Sequence, residues 1–366
     1  MRDVVPRIAP GLVVFGITGC RIRVGSGDGT TLPCGKQRQG ALMSSLSSFS
    51  RGTLIAAAAL LASTPAMGQD WPVKPVTLVV PFPPGGGTDL VVRAVQAPLA
   101  KLLGQPVIID NRGGAGGTVG SAFVARARPD GYSALAVTTS THAVSASVYK
   151  HLPYDPAKDF SYVGLIGTSP YVLAVNPAVA AADVRSLVST LSRRSPNGTF
   201  GSVGVGTVSH LLGEKFQKLA GLTLVHVPYR GAAPAYTDLI GGQIDMMFDN
   251  PVGLTAYVRA GKLTAVATTA PTPLLPQVRT FAQQGMAGID QSLWYGIAFP
   301  KGTPGTIVDR FSQALQRALE DPAVSADLAA KGVTVQPGSA QVLADRVAHD
   351  VLFWGEIAQS VGAVVD

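Results

Sequence analysis

The sequence predicts an α/β protein of two lobes, each a mainly parallel sheet flanked by helices. Three observations carry this. Short apolar runs alternate with segments of helical period, and Gly- and Pro-rich turns separate them. Two such series are joined by long apolar runs, near 163–175 and 291–299. Strands covered on both faces by crossover helices give this alternation.

The elements follow in order. Residues 76–82 (VTLVVPF) form a continuous apolar run, broken by 83–87 (PPGGG). Thr88 or Asp89 caps a helix with Leu90, Val91, Ala94, Val95, Leu99 and Leu102 on one face, stopped by Gly104. Pro98 inside it predicts a kink, costing ~3 kcal/mol if unrelieved. A strand at 106–110, a helix at 119–126 and a strand at 134–138 complete a βαβαβ unit. The second series opens with one long strand, 163–175. Helices follow at 183–194, 207–219 and 232–240, and strands at 199–203, 222–227, 244–248 and 263–267. After a strand at 293–299 the chain is helical: 304–319, 322–331 and 340–358. The lobes are expected at 69–169 plus 292–366 and at 170–291.

Composition narrows the class. With 46% hydrophobic and 14% charged residues, the 366-residue chain has too much apolar surface for a disordered one. Its net charge of +7 raises nucleic acid or a membrane surface as partners, and Cys20 and Cys34 raise a disulfide or a metal. Both readings fade once the N-terminus is parsed. Met43 opens a secretory-type segment: a weakly positive start with Arg51, an apolar stretch at 52–62, and small residues Ala66 and Gly68 before Gln69. The apolar stretch is about half the ~20 residues a bilayer-spanning helix needs. Translation is expected to start at Met43, with 1–42 an over-extended reading frame (a disordered extension being the alternative) and 43–68 a signal peptide; the product is expected in the periplasm. The remaining 298 residues keep 22 basic and 20 acidic side chains, a net charge near +2, and no cysteine.

Ligands of open α/β sheets sit at the carboxyl ends of strands, and four loops there stand out. In 81–89 (PFPPGGGTD), three glycines let backbone N–H groups approach a ligand at a helix start. In 137–141 (VTTST), four hydroxyls follow a strand; hydroxyls bind carboxylates and also cap helices. The loop 201–210 (GSVGVGTVSH) resembles a dinucleotide fingerprint, but His226 stands where the ribose-binding acid is needed, which favours anion capture by Ser202, Thr207 and backbone. In 248–250 (FDN), Asp249 either accepts a ligand amine or caps the helix after Pro251. There is no GxxxxGK[ST], HExxH, GxSxG or CxxC. The five histidines are dispersed without metal-ligand spacing, and the basic residues lack aromatic interleaving. No catalytic constellation, metal site, cofactor site or nucleic-acid surface is predicted. Asn197-Gly198-Thr199 fits a glycosylation sequon.

The same words resemble a known family. PFPPGGGTD (81–89), GQPVIIDNRGGAGGTVGSAFVA (104–125), PDGY (129–132), LPYDPAKDF (152–160), GTVSHLLGE (206–214), HVPYRGAAPAYTDLIGGQID (226–245) and AGKL (260–263) occur in the order found in extracytoplasmic solute-binding receptors of tripartite tricarboxylate transporters, the Bug-type receptors. The resemblance runs over about 290 residues. It implies a type II periplasmic-binding-protein fold closing on a small carboxylate: a tricarboxylate, dicarboxylate, amino acid or aromatic acid. It implies a ligand held by backbone amides, hydroxyls and water, with no cofactor. By the family pattern, Phe82, Gly86, Gly87, Thr88 and Asp89 form one wall and Thr139, Ser140 and Thr141 add hydroxyls. Ser202, Gly206, Thr207 and His210 face them, with Asp249 at the edge setting specificity. HVPYRG and LPYDPAKDF read as structural words. Gln283 departs from the pattern, standing where a Glu is common.

The implied role is that of a monomeric receptor, not an enzyme, delivering its ligand to membrane transporter subunits. A receptor that signals its closed state to a sensor kinase would use the same cleft. The missing nucleophile and base argue against an exported α/β hydrolase.

Overall fold

The computed structural model describes residues 71–194 and 198–364. The expected start at Met43, the signal segment, both cysteines and Asn197 lie outside the described residues.

β1 (Val76–Val80) leads through the Gly-rich loop into α1 (Gly87–Leu103), whose Val91, Val92, Val95, Leu99 and Leu103 are buried. Gly104 ends the helix at φ 74°, donating to the Ala100 carbonyl. The helix continues through Pro98. Ala94, whose carbonyl Pro98 leaves without a donor, is partly exposed, so solvent can serve it. Next come β2 (Val107–Asn111), α2 (Thr118–Ala125) and β3 (Ser133–Thr138). A π-helical turn (Ser140–Val144) then runs into the short α3 (Ser145–Val148). β4 (Phe160–Pro170) and β5 (Val172–Val175) follow. α4 (Val184–Arg194), β6 (Thr199–Ser202), α5 (Val208–Ala220) and β7 (Val225–Pro228) continue the chain. After them lie α6 (Ala232–Ile240), β8 (Met246–Asp249), α7 (Pro251–Arg259) and β9 (Thr264–Thr268). The final stretch is β10 (Ser292–Pro300), α8 (Gly305–Glu320), α9 (Pro322–Ala330), β11 (Thr334–Gly338) and α10 (Ala340–Val361).

The strands form two sheets, ordered β11-β4-β10-β3-β1-β2 and β7-β6-β8-β5-β9. The first takes its strands from 76–170 and 292–338, the second from 172–268. The α/β class holds, but the sheets are mixed rather than mainly parallel. β10 and β11 run against the rest of the first sheet, and β5 against the rest of the second. The reason is the path of the chain. β5 and β10 enter their sheets directly from the other sheet, without a crossover helix to return them, so they begin at the end where the βα strands finish. The predicted long strand 163–175 is accordingly two strands, divided at Tyr171 between the sheets. β11 was not foreseen: TVQPG is polar and edge-like, and it joins by antiparallel pairing to β4.

Two details fasten this frame. Trp294 of β10 is fully buried, and its indole N–H donates to Asp350 of α10 at 2.7 Å. Gln283 accepts from Thr280 N at 2.9 Å and returns its own N–H to Thr280 Oγ1 at 3.2 Å. An amide thus closes this turn where a Glu is common.

Candidate functional site

The carboxyl ends of β1, β3, β6 and β8 face one another, and the loops that follow enclose a cleft between the sheets. The main cavity has a volume of about 570 Å³, open solvent included. Helix starts surround it. Gly87 and Thr88 open α1, Ala232 and Ala233 open α6, and Asn250 precedes α7; all five line the cavity. First-turn N–H groups have no partner within their own helix and carry the positive end of its dipole. Among the described residues, no Lys or Arg lines this cavity, and Asp249 is its only carboxylate.

The predicted residues divide between the wall and its supports. Phe82, Gly86, Gly87, Thr88, Ser140 and Asp249 line the main cavity. Asp89 does not. Its carboxylate accepts from Gly85 N (2.9 Å), Arg93 Nε (2.9 Å) and Asn111 Nδ2 (2.9 Å), fastening the Gly-rich loop from behind. Burial works to raise its pKa, but those hydrogen bonds prevail and hold the carboxyl below its usual range. Thr139 Oγ1 accepts from Trp294 N at 2.9 Å, and Thr141 Oγ1 bonds to Thr138 and to His142 Nδ1. Of the four hydroxyl residues that end β3 and follow it, Thr138 and Ser140 are the two that line the cavity.

The third loop is displaced further from expectation. Ser202 Oγ lies 2.7 Å from His226 Nε2. Thr207 caps α5, accepting from His210 N at 3.4 Å and donating to Gly204 O at 2.7 Å. Gly206, at φ 71°, packs on the Tyr149 ring. These side chains and His210 support the loop; Val203 supplies the cavity wall. The backbone at 203–205 faces a second cavity of about 540 Å³, solvent included, which shares Phe82, Pro83, Val203 and Gly231 with the first.

The histidines are not all dispersed. His210 and His226 stack with centroids 4.1 Å apart and planes 18° apart, and His210 Nε2 is 3.5 Å from Glu214. Burial, then the neighbouring His210, pushes His226 down to about 4, against the pull of Glu214. His210, Glu214 and His226 bring ligand-type atoms within 4.8 Å of one another. Stacked rings, however, direct their lone pairs along parallel planes, a poor arrangement for converging on one ion.

Sequence reasoning missed Tyr171, Gly231, Pro234, Asn250 and Leu293 on the main wall. HVPYRG, read as structural, in fact contributes Tyr229, Arg230 and Gly231 to the cavities. Its signal was present: a strand, a Gly, then Ala-Ala-Pro opening a helix repeats the grammar of the first loop. Tyr171 and Leu293 reach the site because both crossovers pass beside it.

Contacts also run across the cleft. Tyr149 Oη lies 3.0 Å from the Val205 carbonyl and 3.3 Å from that of Ala115. Val208 N donates to Ser140 Oγ at 3.2 Å.

Comparison with known proteins places this architecture. Residues 91–363 match the tripartite tricarboxylate transporter family receptor. A protein of the TAR-I ttuE-ttuC' intergenic region of Agrobacterium vitis is 38% identical over 295 residues, covering 80% of this chain and 84% of its own. The solved periplasmic binding protein BugD is similar at 33% identity and a TM-score of 0.77, over 80% of this chain and 99% of that one. MatC from Rhodopseudomonas palustris, solved with bound malate, is similar at 34% identity and a TM-score of 0.75, over 78% and 99%.

Proposed function

The chain belongs to the tripartite tricarboxylate transporter receptor family, and from that premise we propose that it captures a small carboxylate in the cleft and delivers it to a membrane transporter. One observation carries the choice of ligand: helix starts and hydroxyls converge on a cavity that, among the described residues, no Lys or Arg lines. Backbone N–H groups stabilise an anion without a counter-charge that must itself be desolvated. MatC, a relative solved with malate, supports the reading.

In this reading the two sheets are the cores of two lobes, 69–169 plus 292–366 and 170–291. The crossovers at Tyr171 and between β9 and β10 serve as the hinge. Phe82, Gly86, Gly87, Thr88 and Ser140 meet the ligand from one lobe, and Val203, Gly231, Ala232 and Asn250 from the other. Asp89, Thr139, Thr141, Ser202, Gly206, Thr207 and His210 hold the loops in place. The secretory-type segment at 43–68 would deliver the protein to the periplasm, where relatives such as BugD work.

The test is a thermal-shift screen of the full chain against mono-, di- and tricarboxylates, aromatic acids and amino acids, with neutral amides as controls. A ligand at 100 times its dissociation constant stabilises by ~2.7 kcal/mol. A shift with acids and none with their amides is expected; equal shifts with both would sink the carboxylate assignment.

A further inference from the structure

Arg346, His349, Asp350 and Phe353 recur at i, i+3, i+4 and i+7 along α10, which sets them on one face of the helix. That face meets the crossover into β10, and the two enclose a groove of about 980 Å³, open solvent included. Side chains alternate along a strand: Leu293 lines the main cavity, and Ser292, one residue earlier, lines this groove. Among the described residues, none lines both.

Asp350 organises the groove. It is 5% exposed, and its carboxylate accepts from Trp294 Nε1 at 2.7 Å, Arg346 Nε at 3.1 Å and His349 Nδ1 at 2.9 Å. A neutral acceptor would serve the indole; a buried carboxylate also fixes the two basic side chains beside it. Arg346 is held through Nε, which leaves Nη1 and Nη2 without a hydrogen-bond partner among the described residues. A guanidinium positioned in this way offers two parallel N–H bonds to a carboxylate and loses less side-chain freedom than a mobile one. Phe353 lies parallel to His349, with planes 14° and centroids 6.3 Å apart, and gives a ring an apolar surface. Asp290 lines the groove from the crossover and repels a second anion.

We propose that the α10 groove is a second binding site, outside the cleft, and that it takes an aromatic monocarboxylate. The carboxylate meets Arg346 and the ring meets Phe353. This assignment is independent of which ligand the cleft takes.

Benzoate is the probe, with acetate, benzamide and phthalate as companions that lack the ring, lack the charge or carry a second charge. Calorimetry on the full chain should find benzoate bound about ten-fold or more tighter than each companion. Arg346→Met should weaken benzoate about ten-fold or more, whereas the cleft variant Thr88→Ala should leave it unchanged. Asp290→Asn should bring phthalate to within about three-fold of benzoate. No heat from benzoate up to about 10 mM overturns the site. So does a loss that falls on Thr88→Ala and spares Arg346→Met, which would put the acid in the cleft. Phthalate or acetate bound as tightly as benzoate overturns the ligand class. Should Arg346→Met not fold, Phe353→Ala decides in its place: about five-fold weaker benzoate is expected, and unchanged affinity removes the groove.

Discussion

Gly87, at the start of α1, lies so close to Asn250, at the end of β8, that a β-carbon added at Gly87 would sit 2.1 Å from Asn250 Nδ2. Gly87 follows a strand of one sheet and Asn250 a strand of the other, so the missing side chain sets how near the two walls of the cleft come.

Gly87→Ala should therefore penalise the closed arrangement and spare the fold, because a helix start accepts Ala readily. Overpacking at a tight contact costs about 1–3 kcal/mol. Expected is a roughly 5- to 100-fold loss of ligand affinity by calorimetry, with a melting temperature of the free protein little changed. Full affinity in this variant would show that the cleft need not close on Gly87.

Asp249 links function to stability. Burial pushes its pKa from 3.8 up to about 6, even though Tyr236 and Asn250 hydrogen-bond to it. The folded chain thus holds this proton more tightly than the unfolded one between those values. The stabilising proton is in place at low pH and is lost as pH rises through 6, so the full cost falls above 6. Asp249→Asn, which keeps size and polarity, should stabilise the ligand-free protein by about 1–3 kcal/mol at pH 8. The advantage should vanish near pH 4. Urea titrations at the two pH values measure it; an equal effect at both would place the cause in packing rather than charge.

Tyr149 reaches across the cleft with one hydroxyl between the carbonyls of Val205 and Ala115. A phenol has a single proton to give, so Tyr149→Phe removes one hydrogen bond and leaves the ring packed on Gly206. A net loss of about 0.5–1.5 kcal/mol from the closed state is expected, or about 2- to 10-fold in affinity. It should appear as faster ligand release in stopped-flow traces. An unchanged release rate would remove Tyr149 from the closing contacts.

The architecture was legible because βα units announce themselves twice, as apolar runs and as the glycine-rich turns that end them. Loops at the carboxyl ends of β1, β3, β6 and β8 could be named before any geometry was known. Which residue of each loop faces the cavity could not. Thr138 and Ser140 face it, while Thr139 and Thr141 turn to Trp294 and His142, and that choice is made by a π-helical turn with no sequence mark. His210 and His226 are distant in sequence and meet only because α5 packs beside β7. The antiparallel strands were hidden for a similar reason: an apolar run has the same composition in either direction.

Thr88 and Thr207 separate wall from support. Both are buried threonines at helix starts in the Gly-rich loops, and sequence reasoning treats them alike. Thr88 lines the main cavity, whereas the Thr207 hydroxyl is committed to Gly204 O and His210 N. Thr88→Ala should then cost affinity, about 0.5–3 kcal/mol for a lost hydrogen bond to a charged group, with little change in stability. Thr207→Ala removes a helix cap and should cost about 0.5–2 kcal/mol of folding stability, with any loss of affinity following from the loosened 203–205 backbone. Paired urea and calorimetric titrations distinguish the two. If Thr207→Ala binds weakly while remaining fully stable, its hydroxyl meets the ligand and the division between wall and support is wrong at that position.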